Sequence, residues 1–201
     1  MIDVEHISFS YGKKPILKDI SFHVNSGERI AIIGNNGCGK STLLRIMAGI
    51  IKPQEGTVRY YGKDACSDRD LFRKYCGYVP QENPLMEELS VKDNLRLWNK
   101  GKKEIPEEII RMNGLENILT EKVTVLSGGM KRRLSIACAM MGMPPIMLMD
   151  EPTSALDMEY RKQIHEWMDR YRKMNGTLVI VTHDKEEIEE SDIIFKLKGG
   201  Q

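Results

Sequence analysis

The sequence predicts a single α/β domain built on a mainly parallel sheet and carrying a helical insertion. Two observations predict it. Short apolar runs, RIAIIG at 29–34, IMLMDEP at 146–152 and TLVIVTHD at 177–184, have the composition of strands buried on both faces. Between them lie segments of helical period, and strands alternating with helices imply a parallel sheet covered on both sides. The 201 residues suffice for one sizeable core and are too few for two.

The elements follow in order. DVEHISFSYG (3–12) has partial alternation and ends in a Tyr-Gly turn, and ILKDISFHV (16–24) continues as strand. After RIAIIG the period changes at Lys40. Leu43, Leu44 and Met47 share one helical face, and Gly49 offers a C-terminal stop. GTVRYYGKD (56–64) returns to strand and turn. A helical insert is expected over 83–142. Within it Ser90 caps SVKDNLRLW, with Asp93 in the acidic slot of a capping box. Pro106 stands at the first helical position of PEEIIRMNG, and Gly114 closes that helix. A third helix is headed by Ser127. Its apolar residues Met130, Leu134, Ala137, Cys138 and Met141 recur at helical spacing until GMPP stops it. The amphipathic segment 158–176 separates the last two buried runs.

Bulk properties exclude several classes. Lys and Arg total 30 against 29 for Asp and Glu, so the charge balance calls for no nucleic acid. Cys38, Cys66, Cys76 and Cys138 form no C-x-x-C pair and no mixed Cys/His spacing, which disfavours a disulfide framework or a zinc site and fits a reducing cytosol. The N-terminus lacks the pattern of a signal peptide. No apolar run approaches the roughly 20 residues that span a bilayer.

The chemistry is concentrated in three places. GNNGCGKST (34–42) fits G-x-x-x-x-G-K-[ST] with Gly34, Gly39, Lys40 and Ser41, between a predicted strand and a predicted helix, the context that the pattern requires. Glycines at 34, 37 and 39 let the backbone aim N–H groups at phosphates. Lys40 suits the β and γ phosphates, the Ser41 hydroxyl suits Mg²⁺, and Thr42 suits the α position. Asp150 and Glu151 end a buried strand, where ligands of open α/β sheets gather. Asp150 is expected to hold Mg²⁺ and Glu151 to deprotonate an attacking water. LSGGMKRRLS (126–135) sets a serine and two glycines ahead of a basic helix, a second anion-grade helix start in one chain.

Taken together these residues resemble the ATP-binding-cassette family over essentially the whole chain. LSGGM is similar to that family's signature, SALD (154–157) to its D-loop, Gln81 in VPQENP to its Q-loop glutamine, and His183 in VTHD to its switch histidine. Tyr11 stands where the family places an aromatic ring under adenine. The resemblance implies a P-loop NTPase fold of the ABC ATPase type: a RecA-like core with an N-terminal antiparallel β subdomain, and a helical signature subdomain over 83–142. It implies ATP and Mg²⁺ as ligands. Asn35, Asn36, Gly37, Cys38, Gly39, Lys40, Ser41 and Thr42 would enclose the phosphates, Cys38 being a bland small residue at a variable position. Ser41, Gln81 and Asp150 would hold the metal, and Glu151, His183 and Lys40 would serve the chemistry.

The resemblance further implies a head-to-tail homodimer. In it Ser127, Gly128 and Gly129 of one copy bind the γ-phosphate held by the other, and Asp157 shapes the dimer contact. A separately encoded membrane permease would be the second partner, with the chain peripheral on the cytoplasmic face. Leu85, Met86, Leu89 and Trp98 would either meet that permease or pack the insert's own core. Met130 stands where the family usually has glutamine, which implies altered tuning rather than loss of activity. The terminal KLKGGQ lies just beyond the last predicted strand, so further C-terminal elements are not expected. The alternatives are a soluble cassette ATPase with a non-membrane partner, as in iron–sulfur cluster assembly, and a nucleotide switch that does not turn over. Tandem translation-factor cassettes and coiled-coil chromosome ATPases are disfavoured by the single cassette and the short span from Gln81 to Ser127. His6, His23 and His165 have no such sequence context and are assigned structural roles.

Overall fold

The computed structural model describes residues 1–99 and 104–199. Residues 100–103 of the expected insert, and Gly200 and Gln201 of the terminal KLKGGQ, lie outside them. The chain opens with the hairpin β1 (Ile2–Tyr11) and β2 (Lys14–Val24). Then come β3 (Arg29–Ile33), α1 (Lys40–Met47), β4 (Glu55–Tyr60) and the short β5 (Lys63–Asp64). Next are α2 (Arg69–Tyr75) and β6 (Cys76–Val79), followed by α3 (Val91–Trp98), α4 (Glu107–Met112) and α5 (Gly128–Ala139). The chain continues through β7 (Ile146–Asp150), α6 (Met158–Lys173), β8 (Thr177–Val181), α7 (Lys185–Glu189) and β9 (Ile193–Lys196).

These strands form two sheets. The first, in the order β2-β1-β4-β5, is antiparallel; the second, β6-β7-β8-β3-β9, pairs in parallel throughout. The predicted parallel sheet is therefore present, and the antiparallel sheet is built from strands on both sides of β3 in the chain, β1 and β2 before it and β4 and β5 after it. The sequence predicts no element at α2, β6 or α7. For β6 the reason is visible in Gly77: a Cβ there would lie 2.4 Å from the Met147 sulfur and 2.6 Å from the Ala139 carbonyl oxygen. The glycine admits a close approach and, in doing so, removes the apolar side chain that would have marked a strand.

The helix starts follow the expected chemistry with two adjustments. Ser90 caps α3 by accepting the Asp93 N–H at 3.1 Å, but the Asp93 carboxylate takes the Ser90 hydroxyl at 2.7 Å instead of reaching back to a backbone N–H. Pro106 is the N-cap of α4 rather than its first helical residue. Gly114, at φ 59°, ends that helix as expected.

The strand period of two divides the interior. Ile146, Leu148, Val179 and Val181 point into one core with α1 and the antiparallel sheet. Their neighbours Met147, Met149, Leu178 and Ile180 point into a second core with α3, α4, α5 and α6. Leu85 packs against that second core, whereas Met86, Leu97 and Trp98 are exposed. Trp167 of α6 lies deep in the second core, stacked on Tyr171 with ring centroids 5.3 Å apart. Trp167→Ala is expected to lower unfolding free energy by about 3–5 kcal/mol, read from the midpoint of a urea titration. A shift no larger than that of a surface substitution would contradict this packing role.

Candidate active site

A strand buried on both faces can present polar groups only where it ends. β3 ends in residues 34–39, where three glycines take left-handed backbone: Gly34 at φ 155°, Gly37 at 77° and Gly39 at 105°. Gly39 is pressed against β2, since a Cβ there would lie 2.8 Å from Ile16 Cγ2. It is also the N-cap of α1 and offers no side-chain acceptor, so the first N–H groups of that helix face outward without a side-chain cap. The Lys40 ammonium donates to the Gly34 carbonyl at 2.8 Å and the Asn35 carbonyl at 3.1 Å. Two of its three donors thus brace the loop, and one is left for a ligand.

β7 ends in Asp150 and Glu151. Asp150 is buried, with Oδ1 unpartnered among the described residues. Glu151 has φ 48°, an uncommon conformation for a side chain of its size, held by donation of its N–H to Val181 O at 2.8 Å. β8 delivers His183, whose Nε2 stands 3.5 Å from Glu151 Oε1. A cavity of about 590 Å³ opens between these ends, and its wall includes Asn36, Gly37, Gly39, Lys40, Ser41 and Thr42. Gln81 reaches it from the turn after β6, and Tyr11 from the end of β1. The Tyr11 ring is half-exposed and meets Phe9 edge-on, with centroids 4.9 Å apart.

Two predicted loop residues go elsewhere. Asn35 and Cys38 line a separate cavity beside Leu197, and the Cys38 side chain is buried in the first core. Ser127, Gly128 and Gly129 do not border the 590 Å³ cavity either. Ser127 caps α5 by accepting the Met130 N–H at 3.2 Å and meets the Tyr160 hydroxyl at 3.0 Å. Gly128 is exposed with open space where a Cβ would stand, and Gly129 lies under the Tyr160 ring. Met130 leans on the second core. Asp157 caps α6 through the Tyr160 N–H.

Sequence reasoning missed Arg132. Its guanidinium is buried and donates to Pro80 O at 2.5 Å, Asp150 O at 2.8 Å and Pro152 O at 3.0 Å. It therefore ties α5 to both the Gln81 turn and the acidic pair. Burial pushes its pKa down to about 10, against the opposing pull of Asp150 and Glu187. The available signal was its place on the row of Gly129 and Ile136, three and four residues away on one helical face.

A family model described as ABC transporter matches residues 17–154. The sulfate/thiosulfate import ATP-binding protein of Pseudomonas putida is 36% identical over 99% of this chain and 64% of its own length. The energy-coupling factor transporter ATP-binding protein of Mycoplasma pneumoniae is 31% identical over 97% of this chain and 74% of its own length. The chain thus spans just under two thirds of the first of these relatives. Among solved structures, a dimeric ATP-binding cassette in a post-hydrolysis state bound to ADP and Pi superposes with a TM-score of 0.87 at 29% identity. That match covers 100% of this chain and 95% of the other. The fold is that of the ATP-binding cassettes.

The buried acid gives a direct test. Burial raises the Asp150 carboxyl above its ordinary value, opposed by the Ser41 hydroxyl and the Arg45 and Arg132 cations, while Glu151 adds to the rise. The unfolded chain loses this proton at lower pH than the folded chain does. Stability therefore falls as pH rises from the unfolded value through the folded one, and stays reduced above it. Asp150→Asn is expected to raise the melting temperature of the nucleotide-free protein at neutral pH and to lose that advantage in acid. Thermal unfolding at the two pH values checks this, and a variant that melts lower at neutral pH contradicts it.

Proposed function

The chain belongs to the ABC transporter family, and from that premise we propose that it is the ATP-hydrolysing subunit of a transporter. It works as a head-to-tail pair of copies beneath a separately encoded membrane permease, on the cytoplasmic face. The observation that carries this reading is the separation of two anion-grade helix starts. The start of α1 opens into the cavity, and the start of α5 is exposed outside it. A pocket with a cap it does not itself use is completed by a second copy, and the dimeric state of the solved cassette with ADP and Pi supports that arrangement.

In this reading the backbone N–H groups of residues 37–42 and the free donor of Lys40 bind the triphosphate. Tyr11 lies against the adenine. Ser41, Gln81 and Asp150 would hold Mg²⁺, for which the unpartnered Asp150 Oδ1 is a fitting oxygen donor. The ion would supply neutralisation of the phosphate charge. Glu151 takes a proton from water as its oxygen bonds the γ-phosphorus, and the bond to the bridging oxygen breaks to leave ADP. His183, held beside Glu151, donates a hydrogen bond to a γ-phosphate oxygen. Ser127, Gly128 and Gly129 of the second copy cap the same phosphate with a hydroxyl, backbone N–H groups and the helix dipole.

Residues 83–142 form the helical signature subdomain in this reading, and the rest of the chain forms the catalytic core with its N-terminal β subdomain. No helix among the described residues is long and apolar enough to cross a membrane. The exposed Met86 and Trp98 suit contact with an apolar partner surface, whereas Leu85 serves the core.

Glu151→Gln is expected to slow phosphate release roughly 10²-fold or more, while ATP binding survives and a dimer accumulates by sedimentation. Turnover at the native rate would remove Glu151 from the chemistry. Ser127→Arg is expected to leave nucleotide binding by the monomer intact and abolish ATP-dependent pairing. Specific activity of the native chain should rise with protein concentration, and a rate independent of dilution would contradict the shared site.

A further inference from the structure

Directly after His183 the chain enters α7, and the first turn of that helix faces a histidine which the nucleotide chemistry does not use. His165 of α6 is only 8% exposed, and neither ring nitrogen has a hydrogen-bond partner among the described residues. Its neighbours are carboxylates. Glu186 Oε1 is 3.6 Å and Glu190 Oε2 is 3.8 Å from Nδ1, and Glu187 Oε1 is 3.8 Å from Nε2. Ligand atoms of His165, Asp184 and Glu186 all lie within 4.8 Å of one another.

The surrounding charge is negative. Arg29 is committed to Glu190 at 2.7 Å and to Asp169 at 3.4 Å, and Arg161 to Asp184 at 3.2 Å. Glu186 has no Lys or Arg partner among the described residues. Glu187 is fully buried, with one oxygen taking the Thr153 hydroxyl at 2.8 Å and Oε2 without a partner among the described residues. A buried imidazole with neither nitrogen hydrogen-bonded is destabilising until something binds it. Asp184 is already oriented, because its Oδ1 accepts the Glu186 and Glu187 N–H groups at 2.9 and 3.2 Å.

We propose that His165, Asp184 and Glu186 form a site for a divalent transition ion of the zinc class, distinct from the nucleotide cavity. One imidazole nitrogen with two carboxylate oxygens is a donor set for Zn²⁺ or its neighbours, whereas Mg²⁺ and Ca²⁺ favour oxygen alone. An ion here pins α6 to the start of α7, one residue beyond His183. Through Glu187 and Thr153 it also abuts the segment that follows Glu151. Occupancy therefore restrains both segments that carry the hydrolytic residues. This last consequence rests on the proposed function; the binding site itself does not.

The test titrates Co²⁺ and then Zn²⁺ into the nucleotide-free full chain carrying Asp150→Asn, which removes the candidate magnesium ligand. The expected result is one ion per chain, with visible bands of a nitrogen–oxygen environment, and a melting temperature raised by Zn²⁺. Both His165→Gln and the surface change Glu186→Gln should weaken binding, His165→Gln by at least about 100-fold, beyond the loss of an outer partner. Affinity unchanged in the exposed Glu186→Gln variant, a thiolate-to-cobalt charge-transfer band, or no ion bound at all overturns the site. Zn²⁺ should also slow phosphate release by the native chain and not by Glu186→Gln. Binding without that slowing would retain the ion site and remove only its effect on turnover.

Discussion

The organising constraint is that β3, β7 and β8 are buried along their length between two cores, so polar chemistry is confined to their ends. Because these strands run parallel, all their carboxyl ends lie on one edge of the sheet. The phosphate loop, the acidic pair and His183 converge there for that reason alone. β6, parallel to β7, brings the turn with Gln81 to the same edge. Tyr11 comes from the other sheet, and its arrival depends on how β1 packs across the first core.

The edge is expensive to maintain. Asp150 is buried without a full set of partners, Glu151 holds a left-handed backbone, and Arg132 keeps a guanidinium away from water. Each is tolerated because a neighbour over-determines it. Val181 O fixes the Glu151 amide, and the Arg132 fork satisfies carbonyls on two separate turns at once. Arg132 also hydrogen-bonds α5 to the turn carrying Gln81 and to the backbone of the acidic pair.

The start of α5 differs from that of α1 in what surrounds it. At α1 the loop closes over its own lysine; at α5 the serine and first glycine stand in the open, backed by Tyr160 under which Gly129 fits. In the proposed function the first arrangement would enclose a ligand, and the second would present donors to one held by another copy. That asymmetry is the structural basis for treating a single copy as two half-sites.

Much of this was legible in the sequence because it rests on local rules. Period and turn chemistry located β3, α1, β7 and β8, and the G-x-x-x-x-G-K-S spacing and the acids after IMLM identified the edge where ligands gather. The capping serines at 90 and 127 behave as expected, since a cap is made with residues two or three positions away. What required tertiary structure were contacts between distant segments. The row it shares with Gly129 and Ile136 sets Arg132 apart from Lys131 and Arg133 only as a position on a helical face; the arrival of the Pro80 and Asp150 carbonyls makes it a buried hub. Cys38 and Asn35 share a loop with Lys40, yet the three glycines turn them to the opposite side. β6 was hidden because its glycine answers to Met147 and Ala139, and His165 passed for an ordinary helix residue until α7 folded its carboxylates against it. Sequence alone determined β3, α1, β7 and β8 and the residue types at their ends, because each is encoded within a turn or two of chain. The fold alone decided which side chains meet, because burial and charge at a point are sums over segments far apart in sequence.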